Sequence, residues 1–209
     1  MTQPASTKPD PNSGGRWAIL GGAFDPVHWG HIRLASNIKP MADLDGVLLV
    51  PSFHPPHKQN GCVANFADRM RMLELALPFC DSCSISDIES TLTEPTYTLY
   101  VIHSLRKKFP LASLELLIGA DQWKAFETWH KPQEILDTVP VIVGERPGFV
   151  RATQESLETP RVRFIHSGLV DLSSSRVRSA LDAGIDRAHL GELVPEAVAD
   201  YIIGKGLYR

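Results

Sequence analysis

Long apolar runs are missing from this sequence. None approaches the roughly 18 residues that a membrane helix needs. The opening stretch MTQPASTKPDPNSGG has no apolar core, which argues against a secretory signal, and its Pro, Ser, Thr and Gly content reads as a disordered tail over residues 1–15. Cysteine is scarce: Cys62, Cys80 and Cys83 are the three in 209 residues, and an odd count without a secretion signal points to a reducing cytoplasm. A basic excess is absent too. The formal net charge of -3 argues against a general nucleic-acid or membrane-surface binder, so an anionic ligand must be met by a local basic cluster. Neither G-x-G-x-x-G after the first strand nor G-x-x-x-x-G-K-[ST] anywhere is found. Cys80-Asp81-Ser82-Cys83 spells C-x-x-C, but no second such pair exists and no histidine lies close by in sequence. Zinc would lack two ligands, and the pair reads as two incidental cysteines at a helix-to-strand junction, with a redox pair as the alternative.

What is present is an ordinary globular composition, 43% hydrophobic and 22% charged. Short, continuous apolar runs at 17–20, 46–50, 84–88, 114–118, 139–143 and 162–166 predict strands buried on both faces. Between them, helical patterns fall at 32–41, 66–77, 97–109, 121–127 and 132–136, and two more, at 174–183 and 195–204, follow the last strand. Alternation of this kind predicts an α/β fold: a Rossmann-like, doubly wound, mostly parallel sheet with helices on both faces and a small C-terminal helical part. Residues 16–209 are expected to form one domain, with Gly144–Pro160 as its one long polar connection.

The first strand runs into GGAFDPVHWGHIRLA, residues 21–35. Two glycines at a strand's carboxyl end let another group approach the backbone. A helix expected to begin near His31 would aim free N–H groups and the positive end of its dipole at the same space. That is an anion site by geometry. His28 and His31, three apart around the helix start, suit a phosphate that gains negative charge during reaction.

Other segments carry readings of their own. His54, His57 and Lys58, among Pro51, Pro55 and Pro56, make a stiffened loop with a positive tip. Ser173, Ser174 and Ser175 open the helix containing Arg176 and Arg178, where caps and free amides suit a phosphate. Asp121, after Gly119 and Ala120, fits a ribose hydroxyl or a helix cap. Trp123 and Trp129 lie six apart, and an aromatic face favours a flat cationic ring, although aromatics at such spacing also belong to cores.

The segment GGAFDPVHWGH resembles the G-G-x-F-D-P-x-H-x-G-H signature of nucleotidyltransferases that share the H-x-G-H motif. PSFHPPHK (51–58), EPTYT (94–98), IGADQWKAFETWHKPQEIL (118–136), RPG (146–148), LSSSRVR (172–178) and VPEAVADYIIGKGLY (194–208) follow in the order found in the bacterial nicotinate-nucleotide adenylyltransferase family. The resemblance spans residues 17–209. Small departures are Leu172, Ser175 and His130, where the family often has other residues.

The resemblance implies adenylyl transfer from ATP to nicotinate mononucleotide, with His28, His31, Lys58 and Arg178 as the catalytic groups. It implies that Gly21, Gly22, Ala23, Phe24, His28, His31, Gly119, Asp121, Ser173, Ser174 and Arg178 bind ATP. His57, Lys58, Tyr97, Thr98, Trp129 and His130 would bind the acceptor, with Trp129 stacked on its ring and amides near Thr98 and His130 taking its carboxylate. Mg2+ is expected to be held mainly through the ATP phosphates, with no metal site in the protein itself, and Asp25 to serve as its outer-sphere partner or as a loop anchor. The implied partners are the two small molecules, without nucleic acid or membrane, in the cytoplasm; a homo-oligomer stays open. Three rivals stay open as well: the same chemistry on nicotinamide mononucleotide or phosphopantetheine, a non-catalytic nucleotide sensor, and a redox protein built on Cys80 and Cys83.

Overall fold

Alternate residues of the first strand serve two different cores. The computed structural model describes residues 9–54, 62–145, 160–166, 168 and 172–208. Its six strands are β1 Gly15–Gly22, β2 Gly46–Pro51, β3 Cys83–Ile85, β4 Ala112–Gly119, β5 Val141–Glu145 and β6 Val162–His166. Every pairing is parallel, in the order β3-β2-β1-β4-β5-β6. Ala18 and Leu20 of β1 face one core and Trp17 and Ile19 the other, as the two-residue period of a strand requires.

The helices among the described residues are α1 Trp29–Ala42, α2 Phe66–Ala76, α3 Thr98–Lys108, α4 Ala120–Lys124, α5 Pro132–Thr138, α6 Ser174–Asp182, α7 Arg187–Leu193 and α8 Glu196–Lys205. Buried residues of α1, α2, α6, α7 and α8 share the core of Ala18 and Leu20, and those of α3, α4 and α5 share that of Trp17 and Ile19. The sheet is therefore covered on both faces, as expected. The strand order reverses between β1 and β4, which puts a crevice at their carboxyl ends, beside Gly21, Gly22 and Gly119.

Several boundaries differ from the sequence reading. Of the tail expected over residues 1–15, the described part is ordered. Pro11–Ser13 form a turn of 3₁₀ helix capped by Asp10, and β1 already begins at Gly15. Helix α1 starts at Trp29, earlier than the expected start near His31, with His28 as its N-cap. Strand β5 starts two residues late, because Val139 ends α5 and Pro140 has no N–H to give to a ladder. Helix α7 was not anticipated. Cys80 and Cys83, expected to be incidental, are joined in a disulfide: a tight turn, closed by the Cys83 N–H on the Cys80 carbonyl at 2.9 Å, brings the Cα atoms within 5.4 Å.

Two buried charges tie the loops at the crevice together. The carboxylate of Asp25, fully buried, accepts the backbone N–H groups of Val63 (2.9 Å) and Ala64 (3.0 Å) and the hydroxyl of Tyr208 (2.9 Å). Its backbone carbonyl takes a 2.7 Å bond from Arg178. The guanidinium of Arg69, on α2, donates to the carbonyls of Ala23 (2.8 Å), Ser52 (2.7 Å) and Ala64 (3.3 Å). Asp25 thus acts as the loop anchor of the two roles open to it. Segments far apart in sequence are fixed at one edge of the sheet by hydrogen bonds to groups that water cannot reach.

Two predictions test this packing. A Cβ added at Gly46 would meet the indole of buried Trp17 at 2.4 Å. Gly46→Ala is expected to lower the unfolding free energy by about 1–3 kcal/mol, the usual range for overpacking, read by urea denaturation; an unchanged midpoint would show that the indole has room to move. Burial, and after it Asp25, push the Tyr208 hydroxyl above its ordinary value of 10.0. Tyr208→Phe should therefore lose about 2 kcal/mol near neutral pH, as for a hydrogen bond to a charged group. Above about pH 10 the folded state still holds a proton that the unfolded chain has released, so wild-type stability falls with rising pH and the gap to Tyr208→Phe narrows. A gap independent of pH would sink this assignment.

Candidate active site

Two cavities meet over the diglycine at the end of β1. The first, about 240 Å3, is lined by Gly21, Gly22 and Ala23, by His28 and His31, by Gly119 and Asp121, and by Ser173 and Ser174. A Cβ at Gly21 or Gly119 would meet nothing within 4 Å and would only fill this space. Gly30 is needed for a different reason. A Cβ there would lie 2.9 Å from the His28 ring, so the glycine between the two histidines lets that ring fold back over the helix start.

The imidazoles of His28 and His31 stack at 3.8 Å with planes 29° apart. The backbone N–H of His28 donates to Nδ1 of His31 at 3.3 Å. An accepting Nδ1 leaves the proton of a neutral imidazole on Nε2, so His31 presents an N–H donor at that nitrogen. The first turns of α1 and α6 meet at this cavity. Ser173 caps α6 by accepting the Arg176 N–H, and Ser174 Oγ donates to the Pro26 carbonyl at 2.9 Å, which docks α6 onto the loop after β1. With the hydroxyls so engaged, the backbone N–H groups at the start of α6, which a helix leaves without carbonyl partners of its own, supply its anion-binding capacity. Arg178 does not line the cavity; it donates to the Asp25 carbonyl and to Ser175 Oγ.

The second cavity, about 270 Å3, shares Gly21, Gly22, Ala23 and Gln122 with the first. Its walls are largely apolar, from Ile19, Val50, Val101, Ile102, Leu116, Ile118 and Trp129, with the polar Ser52, Glu89, Thr96 and Thr98 also in its lining. Thr98 opens α3, an 11-residue helix whose free N–H groups form a positive end. Tyr97 and His130 do not line this cavity. Their rings stack on each other at 4.2 Å, and His130 Nε2 lies 3.2 Å from the Tyr100 hydroxyl.

Of the residues singled out from the sequence, the structure brings His28, His31, the glycines, Ala23, Asp121, Ser173 and Ser174 to the first cavity, and Thr98 and Trp129 to the second. Phe24 belongs instead to the core, buried, with its ring edge-on to His31 at 4.8 Å. Trp123 is core as well, stacked on Phe126. His57 and Lys58 lie outside the described residues.

Gln122 and Glu89 are among the lining residues that the sequence did not mark. Gln122 Oε1 accepts the Gly119 N–H at 3.1 Å at the boundary between the cavities. Glu89 is buried in the wall of the second. Its Oε2 accepts the Phe53 N–H (3.0 Å) and the Thr96 hydroxyl (3.2 Å), and burial pushes its carboxyl above the ordinary value. A single glutamate in a polar stretch carries no signal that would have marked it. Among the described residues, no group of three histidine, cysteine, aspartate or glutamate side chains could hold a metal ion.

The cytidylyltransferase-like family matches residues 19–180 of this chain. A protein of Geobacillus thermodenitrificans named probable nicotinate-nucleotide adenylyltransferase is 36% identical over 195 residues, 93% of this chain and 86% of its own length. One of Dehalococcoides mccartyi with the same name is 34% identical over 198 residues, covering 91% and 96%. Among solved structures, the nicotinic acid mononucleotide adenylyltransferase of Plasmodium falciparum complexed with NaAD superposes with a TM-score of 0.78 at 20% identity, over 92% of this chain and 97% of that one, and shares the fold. The chain belongs to the nicotinate-nucleotide adenylyltransferase family.

Proposed function

We propose that this protein transfers the adenylyl group of ATP to nicotinate mononucleotide, forming nicotinate adenine dinucleotide and pyrophosphate, a step of NAD biosynthesis. The observation that carries this is the pair of cavities sharing one glycine floor, the first rich in anion-binding groups and the second apolar with an aromatic wall. ATP occupies the first. The ring of the acceptor enters the second, against Trp129, and its phosphate reaches the shared floor.

The attacking group is a phosphate whose second pKa is roughly 6, so it is mostly dianionic at neutral pH and needs no general base. One of its oxygens bonds to the α-phosphorus. The bond from that phosphorus to the bridging oxygen breaks, and its electron pair leaves with pyrophosphate. What the protein supplies is alignment and charge stabilisation. His31, through Nε2–H, and His28 serve the phosphates around the transferred group, helped by the N-termini of α1 and α6. Arg178 adds positive charge from one turn inside α6. Lys58, with His57, is assigned to the phosphates on the grounds of its place in the family pattern. Asp121 suits a ribose hydroxyl of ATP. The donors lining the first cavity are mostly N–H groups, which fit phosphate oxygens rather than a hard cation, so magnesium comes with ATP, held by phosphate oxygens and water, and lowers the charge of the triphosphate. We place the reaction in the cytoplasm, where both substrates are small soluble molecules; no helix among the described residues is long and apolar enough to cross a membrane.

Pyrophosphate release with MgATP should show a large kcat/KM advantage for nicotinate over nicotinamide mononucleotide. Equal rates would remove acid specificity from the reading, and no turnover with either would overturn it. His31→Ala should keep the far-ultraviolet circular dichroism of the wild type and lose about 100-fold or more in kcat, the size seen when one transition-state donor is removed. A wild-type kcat in that variant would strip His31 of its role.

A further inference from the structure

We propose that Glu89 recognises the positive charge of the pyridinium ring, so that the second cavity selects a charged, oxidised pyridine nucleotide over its neutral, reduced form. This rests on the acceptor assignment above and adds the property of the ring that the cavity reads.

Glu89 places a carboxyl where none is needed for packing. Glu89 is 6% exposed and shares the cavity wall with apolar Ile19, Val101, Leu116 and Ile118 and with the neutral polar Ser52, Thr96 and Thr98. A buried carboxylate is unfavourable unless its oxygens are satisfied. Both hydrogen bonds to Glu89 end on Oε2, from the Phe53 N–H and the Thr96 hydroxyl. Among the described residues, Oε1 receives none. Burial raises the carboxyl, and the bonds from Phe53 and Thr96 and then the nearby cation Arg69 oppose that rise in part; the N–H groups of Arg69 go to the carbonyls of Ala23, Ser52, Phe53 and Ala64 and not to Glu89. The cavity is thus left with an acceptor oxygen and a negative charge that no protein group pairs directly.

The shape of the site says which part of a ligand meets that charge. Sugar and phosphate must lie toward the glycine floor, because the two cavities join there. The apolar part beyond it is fit for a ring, and Trp129 offers an aromatic face that a cation favours. Glu89 and Trp129 together make a cation-selective wall. Thr98, at the positive end of α3, supplies the opposite sign in the same cavity. The cavity is therefore dipolar, and nicotinate mononucleotide carries a matching ring, positive at nitrogen and negative at its carboxylate. Reduction to the 1,4-dihydropyridine keeps the carboxylate and the phosphate and deletes only the ring charge.

The test compares two ligands and two variants by calorimetry at about pH 8, where free carboxyls are ionised. The ligands are nicotinate mononucleotide and its 1,4-dihydro form. Glu89→Gln keeps an oxygen to accept from Phe53 and Thr96 and removes the charge. It should weaken the oxidised ligand about ten-fold, the order expected for a charge pair at an effective dielectric near roughly 20 after screening. The reduced ligand should bind as before, and KM for ATP should be unchanged. Thr96→Val, which keeps the charge and loosens the carboxyl, should preserve the preference for the oxidised ligand. Equal weakening of both ligands by Glu89→Gln would reduce Glu89 to a brace for Phe53 and Thr96 and overturn the proposal, as would no weakening of either. If the wild type bound neither mononucleotide, the acceptor assignment itself would fall; binding of both with equal affinity would overturn the charge reading alone.

Discussion

Everything at the carboxyl edge of the sheet hangs on a carboxylate and a guanidinium removed from water. Asp25 gathers two backbone N–H groups from residues 63–64 and a hydroxyl from near the C-terminus, and Arg69 gathers carbonyls from the ends of β1 and β2. Neither residue faces the substrate cavities. Their effect is to turn four chain segments, none stabilised there by its own secondary structure, into one rigid frame. Buried polar groups of this kind strongly favour one arrangement, because any slippage would leave a charge without partners in a low dielectric.

That frame suits the modest groups that we assign to catalysis. The acceptor brings its own nucleophile, so no side chain has to be activated, and rate depends on where two phosphates are held relative to one another. The residues around the first cavity accordingly come from helix starts and loop ends: the stacked pair His28 and His31 at the N-terminus of α1, Ser173, which caps α6, and Ser174, which docks it onto Pro26. His31 and both serines are placed by backbone contacts. Gly30 shows the tolerance involved, since one added carbon would push on the His28 ring.

Much of this was legible before any coordinates. Apolar runs located the six strands of the described sheet: β2 is buried along its whole length, as a strand covered on both faces should be, and even the partly exposed Val162–His166 has the same bounds in both readings. The diglycine and H-x-G-H were readable as an anion site because their chemistry is local: a strand end, a tight turn and a helix start lie within a dozen residues. What stayed hidden is what depends on contacts distant in sequence. Arg69 looks like any arginine on a helix, and Glu89 like any acid in a polar connection, until β2 and α3 close around them. Helix α7 was hidden for another reason: it is seven residues long with a single buried side chain, Leu190, too little to establish a period. The Cys80–Cys83 link was misjudged because the spacing alone does not say whether the turn between them is tight.

The glycine floor common to both cavities has a consequence for drug resistance. A compound lying across Gly21 and Gly22 would touch the surface that we assign to both substrates. A side chain introduced at Gly21 to expel the compound would begin in open space, yet it would occupy the volume that we assign to the reacting phosphates. Escape by substitution at that spot would therefore remove the activity that the cell is trying to protect. Inhibitors anchored farther out, on the Tyr97–His130 stack, would meet no such safeguard.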